Sequence, residues 1–367
     1  GMMPFVARLP KKSIKKYTLR KVFSIFPSKL LFRSVIYTIL SGKGRQPKLY
    51  LEKMMKSRIG CNTILTNSAG DEEPYTFAAY ERLLADYTAY SDWIGALEFS
   101  HVTRITPREA EAIGQRAREY GFDTWSIHSE HFNVGDTLDS YLEIQKHEAE
   151  VCAALGCPVM VCHLPNLRPY VELARDVEVI GRVAELTRRN GVRLAVETCY
   201  YPGPDNATLP DADLVIQVVE RLDLPDVGIN VDTGHCLLGQ TNARPEGVRR
   251  LLETGEPQTL PALIRRIGKR LFTTHLHDNF GLRDDHQGAG LGYIDWHGVI
   301  PALLETGYRG PLMMELTGRR CAAARDVPEM RRLSLEKELI FASSYLTFLL
   351  RQYEKNAVQH QRGEKEA

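Results

Sequence analysis

The chain has 367 residues, 43% of them hydrophobic and 25% charged, with a formal net charge of +1. That composition is ordinary for a soluble globular protein, and the length admits two domains or a single α/β barrel with extensions. Seven cysteines (Cys61, Cys152, Cys157, Cys162, Cys199, Cys236 and Cys321) are odd in number and form no CxxC pair. This argues against a disulfide scaffold and for reduced thiols in a cytoplasmic setting.

The first segment, residues 1–56, carries ten Lys and four Arg against Glu52 alone, a surplus of +13 that leaves about −12 on the remainder. No uninterrupted apolar core precedes a small-residue cleavage site, so a cleavable leader is not expected. The most hydrophobic early stretch, Val22 to Leu40, contains Pro27, Lys29 and Arg33, which argues against a membrane span. The segment reads as a basic extension packed on the rest of the protein. Phe23, Phe26, Leu30, Leu31 and Ile36 alternate with Lys and Arg, so a weak contact with anionic membrane is the sharper alternative.

From residue 57 to about 325 one unit recurs. Strand-like runs begin at Ile59 (IGCNTIL), Ile94 (IGALEFS), Thr124 (TWSIH), Pro158 (PVMVCH), Val192 (VRLAVE), Val227 (VGINVD), Leu271 (LFTTHLH) and Pro311 (PLMME). Their starts lie 35, 30, 34, 34, 35, 44 and 40 residues apart, the length of a strand–loop–helix–turn unit. Thr106-Pro-Arg-Glu109 is a capping box with proline at the first helical position. Gly121, Gly156, Gly191 and Gly307 stand where helices end before the next strand. Eight such units predict a (β/α)8 barrel; the doubly wound alternative lacks a GxGxxG after its first strand. Residues 326–367 read as a terminal amphipathic helix, Leu333 to Leu350, followed by a polar tail.

The C-terminal strand ends of a barrel open into the loops that carry chemistry. Here they read His128, His163, Glu197, Asp232 with His235, His275 with His277 and Asp278, and Glu315; the loop after the seventh run adds Asp284, Asp285 and His286. Six of the eleven histidines fall in this set. Imidazoles and carboxylates converging on one mouth suit a divalent cation. Each residue also has a bland reading: a strand-end carboxylate can cap the next helix, Asp232 can bind backbone amides, and His163 can be a core imidazole. Cys199 and Cys236, beside these positions, read as buried small hydrophobes. Tyr200, Tyr201, Trp125 and Trp296 read equally as mouth or core.

The motifs VETCYYPG (Val196 to Gly203), NVDTGH (Asn230 to His235), THLHDN (Thr274 to Asn279), DDHQGAGLGYIDW (Asp284 to Trp296) and MMEL (Met313 to Leu316) carry a resemblance to the xylose isomerase-like barrel superfamily. The superfamily includes sugar-phosphate isomerases, ketose 3-epimerases and endonuclease IV. Resemblance to its epimerases implies one divalent metal (Mn2+, Mg2+, Co2+ or Zn2+) held by Glu197, Asp232, His275 and Glu315. Glu197 and Glu315 would exchange protons with a sugar, sugar-phosphate or polyol, while His128, His163, His235, Asp284 and His286 bind substrate. Resemblance to endonuclease IV implies up to three zinc ions and a phosphodiester substrate. The three groups would be His128, His163 and Glu197; Glu197, Asp232, His275 and Glu315; and His235, Asp284 and His286. The segments Ser-Glu-His-Phe-Asn after His128 and Thr-Cys-Tyr-Tyr-Pro after Glu197 depart from that nuclease, and the acidic barrel disfavours a nucleic-acid partner. The isomerase or epimerase reading, in carbohydrate metabolism, is therefore the expectation, with the nuclease-like phosphoesterase as its alternative and the oligomeric state open.

Overall fold

A computed structural model describes residues 58–63, 75–133, 135–165, 173–202, 208–255, 259–317 and 328–366. The basic segment 1–56, with both expectations attached to it, lies outside the described residues. The first half of the described chain runs β1 (Ile59–Asn62), α1 (Phe77–Tyr87), β2 (Ala96–Ser100), α2 (Pro107–Glu119), β3 (Asp123–His128), α3 (Leu138–Leu155), β4 (Val159–Cys162), α4 (Leu173–Arg189) and β5 (Arg193–Glu197). A short antiparallel pair follows, β6 (Tyr200–Pro202) and β7 (Thr208–Pro210). The second half runs α5 (Ala212–Leu222), β8 (Val227–Asp232), α6 (Thr233–Thr241), α7 (Pro245–Thr254), α8 (Thr259–Ile267), β9 (Leu271–His275), α9 (Trp296–Glu305), β10 (Leu312–Met314) and α10 (Pro328–Glu366).

Eight strands form one parallel sheet in the order β10-β1-β2-β3-β4-β5-β8-β9. The two outermost, β9 and β10, join through Leu276, whose N–H donates to the Met313 carbonyl at 2.8 Å and which bridges Met314. The sheet thus closes on itself as a (β/α)8 barrel, and each of the eight strand-like runs supplies one of its strands. The short β6–β7 pair was not expected.

Local chemistry accounts for the element boundaries. At the start of α2, Thr106 Oγ accepts the Glu109 N–H and the Glu109 carboxylate accepts the Thr106 N–H, with Pro107 at the first position. Gly156 ends α3 at φ 80°, a left-handed conformation that costs a residue with a Cβ. Alternation along the strands then divides the core. Leu97, Phe99, Ile127, Met160, Leu194, Val196 and Val231 face the helices and are buried with Ile113, Leu155, Val183, Val215 and Val219. Each such side chain contributes about 1.5–3 kcal/mol when fully buried. On the opposite faces Val159, Val161 and Ala195 cluster with Phe272, and Trp125 packs against them. Val159 and Val161 share a strand face with His163, and Ala195 shares one with Glu197, so this cluster is an apolar floor beneath the polar strand ends. Among the described residues, no helix is long and apolar enough to cross a membrane.

Candidate metal centre

Barrel closure brings all nine of the expected side chains to one mouth. His128, Glu197, Asp232 and His275 are the last residues of β3, β5, β8 and β9, while His163 and Glu315 directly follow β4 and β10. Glu197, Asp232 and His275 have no exposed surface. His275 Nδ1 lies 2.9 Å from Glu197 Oε2 and 3.3 Å from Glu315 Oε2. On one side of Glu197, His128 Nε2 and His163 Nε2 stand 3.6 and 3.8 Å from Oε2 and 3.2 Å from each other. On the other side, His235 Nδ1 is 3.3 Å from Glu197 Oε1, and His235 Nε2 is 3.5 Å from Asp284 Oδ2. Asp284 in turn pairs with His286 Nε2 at 2.9 Å.

The backbone explains these placements. Asp232 is the N-cap of α6 and accepts the His235 N–H at 2.7 Å, so the helix-cap reading is correct, and His277 Nε2 lies 2.9 and 3.0 Å from its two carboxylate oxygens. The loop carrying Asp284 and His286 is fixed by buried Asp278. Its carboxylate accepts from the N–H groups of Asn279, Gly290 and Ile294 and from Trp296 Nε1. His286 adopts φ 45°, an uncommon left-handed conformation for a residue with a side chain, and its ring reaches both Asp284 and Glu315.

Burial opposes charge on Glu197, yet His275, His235 and His163 outweigh it and hold the carboxyl well below its usual range. Glu315 is likewise held low, with His286 and His275 overcoming its burial. Burial also opposes charge on His235, but Asp232, Cys199 and Asp284 together outweigh it and raise the imidazole well above its ordinary value. Among the described residues, buried Glu197 Oε1 and His235 Nδ1 face each other, as do Glu315 Oε2 and His275 Nδ1, without an aligned hydrogen bond, and Asp284 Oδ1 likewise has none. Orphaned acceptors and imidazole nitrogens aimed at one volume are the donor set a divalent cation satisfies. Glu197, Asp232, His275 and Glu315 offer ligand atoms that all lie within 4.8 Å of one another. The same holds for His128, His163 and Glu197, and for His235, His277, Asp284 and His286. The residues present therefore fit a bound metal.

Several participants were not assigned a role from the sequence. Glu98, a lone acid in the apolar run of β2, contacts His275 Nε2 at 2.9 Å. Asn230 donates to Glu197 Oε2 at 2.9 Å, and His277 stacks on His286 with ring centroids 3.9 Å apart. His131 stacks on His163 at 4.0 Å. The available signal was a polar residue at an inward register of an otherwise apolar strand, as for Glu98 and Asn230. Of the undecided aromatics, Tyr200 meets the His235 ring edge-on at 5.2 Å, whereas Trp296 is buried core. Cys236 is buried beside Thr198 with its thiol pushed up to about 12 by burial, as expected of a small hydrophobe.

Comparisons with known proteins agree with this architecture. A family model described as xylose isomerase-like TIM barrel matches residues 90–337. The uncharacterized protein y4fM of Sinorhizobium fredii (strain NBRC 101917 / NGR234) is 32% identical over 190 residues, 48% of this chain and 52% of that protein. The chain thus matches about half the length of that relative. Among solved structures, D-psicose 3-epimerase with D-tagatose from Clostridium cellulolyticum H10 superposes with a TM-score of 0.58 at 14% identity, over 80% of this chain and 99% of that one. The IOLI protein with a binding zinc atom gives a TM-score of 0.56 at 14% identity, over 79% of this chain and 99% of that one. At such identities the likeness is one of fold. The family match, covering more than half of the sequence, shows that the chain belongs to the xylose isomerase-like TIM-barrel family.

Proposed function

We propose that the protein is a divalent-metal-dependent isomerase or epimerase acting on a sugar, sugar-phosphate or polyol. The observation that carries this reading is the four-residue group Glu197, Asp232, His275 and Glu315, gathered from the ends of four barrel strands. A cation held there supplies Lewis-acid polarisation of a substrate oxygen. Glu197 and Glu315 are both held in the carboxylate form by their histidine neighbours, and among the described residues each keeps an oxygen without an aligned hydrogen bond. One takes a proton from a substrate carbon, and the other returns a proton to the same or the adjacent carbon. Asn230 holds Glu197 by its Oε2, leaving Oε1 the freer base. His128, His163, His235, Asp284 and His286 ring the group and offer partners for substrate hydroxyls or a phosphate. Among the described residues, these side chains pair with one another and with no Lys or Arg, which suits a small polar substrate better than a duplex.

A second reading, a multinuclear zinc phosphoesterase, is favoured by one specific observation. His128, His163 and Glu197, and His235, Asp284 and His286, are gathered as tightly as the central group. Metal counting by elemental analysis, with anomalous scattering on either side of the zinc edge, separates the two. One strongly occupied site among Glu197, Asp232, His275 and Glu315, with turnover of ketoses or their phosphates, supports the isomerase reading. Three fully occupied zinc sites with phosphodiester hydrolysis overturn it. Glu197→Gln and Glu315→Gln should each lower turnover by about 100-fold or more while leaving the fold intact.

A further inference from the structure

Glu98 is the middle residue of β2 and has no exposed surface. A carboxylate so buried needs charged or hydrogen-bonding partners, and among the described residues no Arg or Lys pairs with it. Two side chains contact it instead. Ser126 Oγ donates to Glu98 Oε2 at 2.7 Å, and His275 Nε2 stands 2.9 Å from Oε1 and 3.0 Å from Oε2. The other nitrogen of the same ring, Nδ1, points at Glu197 Oε2 and Glu315 Oε2. His275 is therefore held between one carboxylate at its far edge and two at its near edge.

An ionised carboxylate can only accept, so a nitrogen that bonds to Glu98 must carry the hydrogen. Nδ1 also faces carboxylates, so it is a cation bound among Glu197, Asp232 and Glu315 that breaks the tie: the hydrogen then stays on Nε2 and the Nδ1 lone pair is directed at the candidate metal volume. A negative partner on the far side also makes that lone pair a better donor. Elsewhere the barrel interior accepts apolar side chains, as the Val159, Val161 and Ala195 cluster shows. An apolar residue at position 98 would fill the same space without the cost of burying a charge, so packing does not explain the choice of glutamate.

We propose that Glu98 is a positioning residue that fixes the tautomer and orientation of His275 and thereby sets how strongly the centre holds its metal. The inference rests on the metal-binding reading above and extends it to a side chain outside the four-residue group. Ser126 completes the arrangement by holding the carboxylate in place from β3.

The test is zinc affinity, measured on the full chain by competition with a chromophoric chelator. Glu98→Gln keeps the volume but removes the charge, and should weaken zinc binding about 10- to 100-fold. The thermal midpoint of the metal-free variant should stay level or rise, because a buried charge has gone; a merely structural role predicts the reverse pattern. If Glu98→Gln does not fold, Glu98→Asp keeps the charge, shortens its reach to His275 and should show the same loss. In the zinc-loaded parent, nitrogen NMR of the labelled histidine should find the hydrogen on Nε2 and the metal on Nδ1. Zinc affinity within threefold of the parent in either folded variant, or metal on Nε2, overturns the proposal. A parent that takes up no metal overturns the metal-binding reading itself, an outcome distinct from a variant that binds like the parent.

Discussion

Glu148, on α3 and without exposed surface, accepts the Glu130 N–H with both carboxylate oxygens at 3.1 Å and the Gln145 side-chain amide at 3.0 Å. Burial is the dominant influence and raises its carboxyl to about 8, against which these hydrogen bonds work only partly. A raised value in the folded state means that the native protein binds the proton more tightly than the unfolded chain does. The associated stability is complete below the ordinary glutamate range and is lost as pH rises towards 8. A tenfold difference in proton affinity is worth about 1.4 kcal/mol, so the loss amounts to a few kcal/mol. Glu148→Gln keeps an acceptor for Glu130 and removes the titration. Denaturant melts at pH 5 and pH 9 should show the parent losing more stability than the variant; equal losses would refute the account. The same scale marks what could be read beforehand. His128, His163, Glu197, Asp232, His275 and Glu315 were legible because strand ends face the mouth of any barrel. Glu98 was not, since its meaning depends on a partner on β9 that is distant in sequence and adjacent only after closure.

Elements place those residues, and the β8–α6 junction shows how tightly. Gly234 lies in the first turn of α6, and a Cβ there would collide with Cε1 and Nδ1 of the His277 ring. Only glycine lets that ring lie against the helix start while its Nε2 contacts Asp232 at 2.9 Å. Gly234→Ala should displace the ring, releasing Asp232 from one side, at a cost of about 1–3 kcal/mol of overpacking. Lower thermal stability together with weaker metal uptake is expected; retention of both would show that the ring contact is dispensable. The motif Asp-Thr-Gly-His announced a turn with ligand-type residues, but not why its glycine is needed. Strand order and boundaries were legible because the eight runs recur at a regular interval, with Gly121, Gly156, Gly191 and Gly307 and the Thr106 capping box marking several of the helix ends between them. The β6–β7 pair was hidden because its strands have three residues each and both contain proline, a poor strand former. The last helix extends over Pro328–Glu366, beyond the expected Leu350, because the polar segment that follows contains good helix formers and few breakers.

At the scale of the whole molecule, the candidate centre is where the barrel's ends meet. Glu197, Asp232, His275 and Glu315 come from β5, β8, β9 and β10, and β9 and β10 are the two strands through which the sheet closes. Without a cation, these strands bring three buried or nearly buried carboxylates together, with Glu98 as a fourth behind His275. A bound divalent ion replaces repulsion by attraction at that seam and, binding the folded state alone, stabilises it by mass action. At a free metal concentration 100-fold above the dissociation constant the gain is about 2.7 kcal/mol, which for a barrel of this size raises the thermal midpoint by roughly 4–5 °C. Exhaustive treatment with a strong chelator should therefore lower the midpoint by about that amount. Adding back each of Zn2+, Mn2+, Co2+ and Mg2+ in turn should restore it to an extent that ranks their affinities. The effect must vanish in a chain carrying Asp232→Asn with His275→Gln, since two ligands of the group are then lost. A midpoint indifferent to chelator and metal alike would mean that the seam is held by its histidine–carboxylate contacts alone.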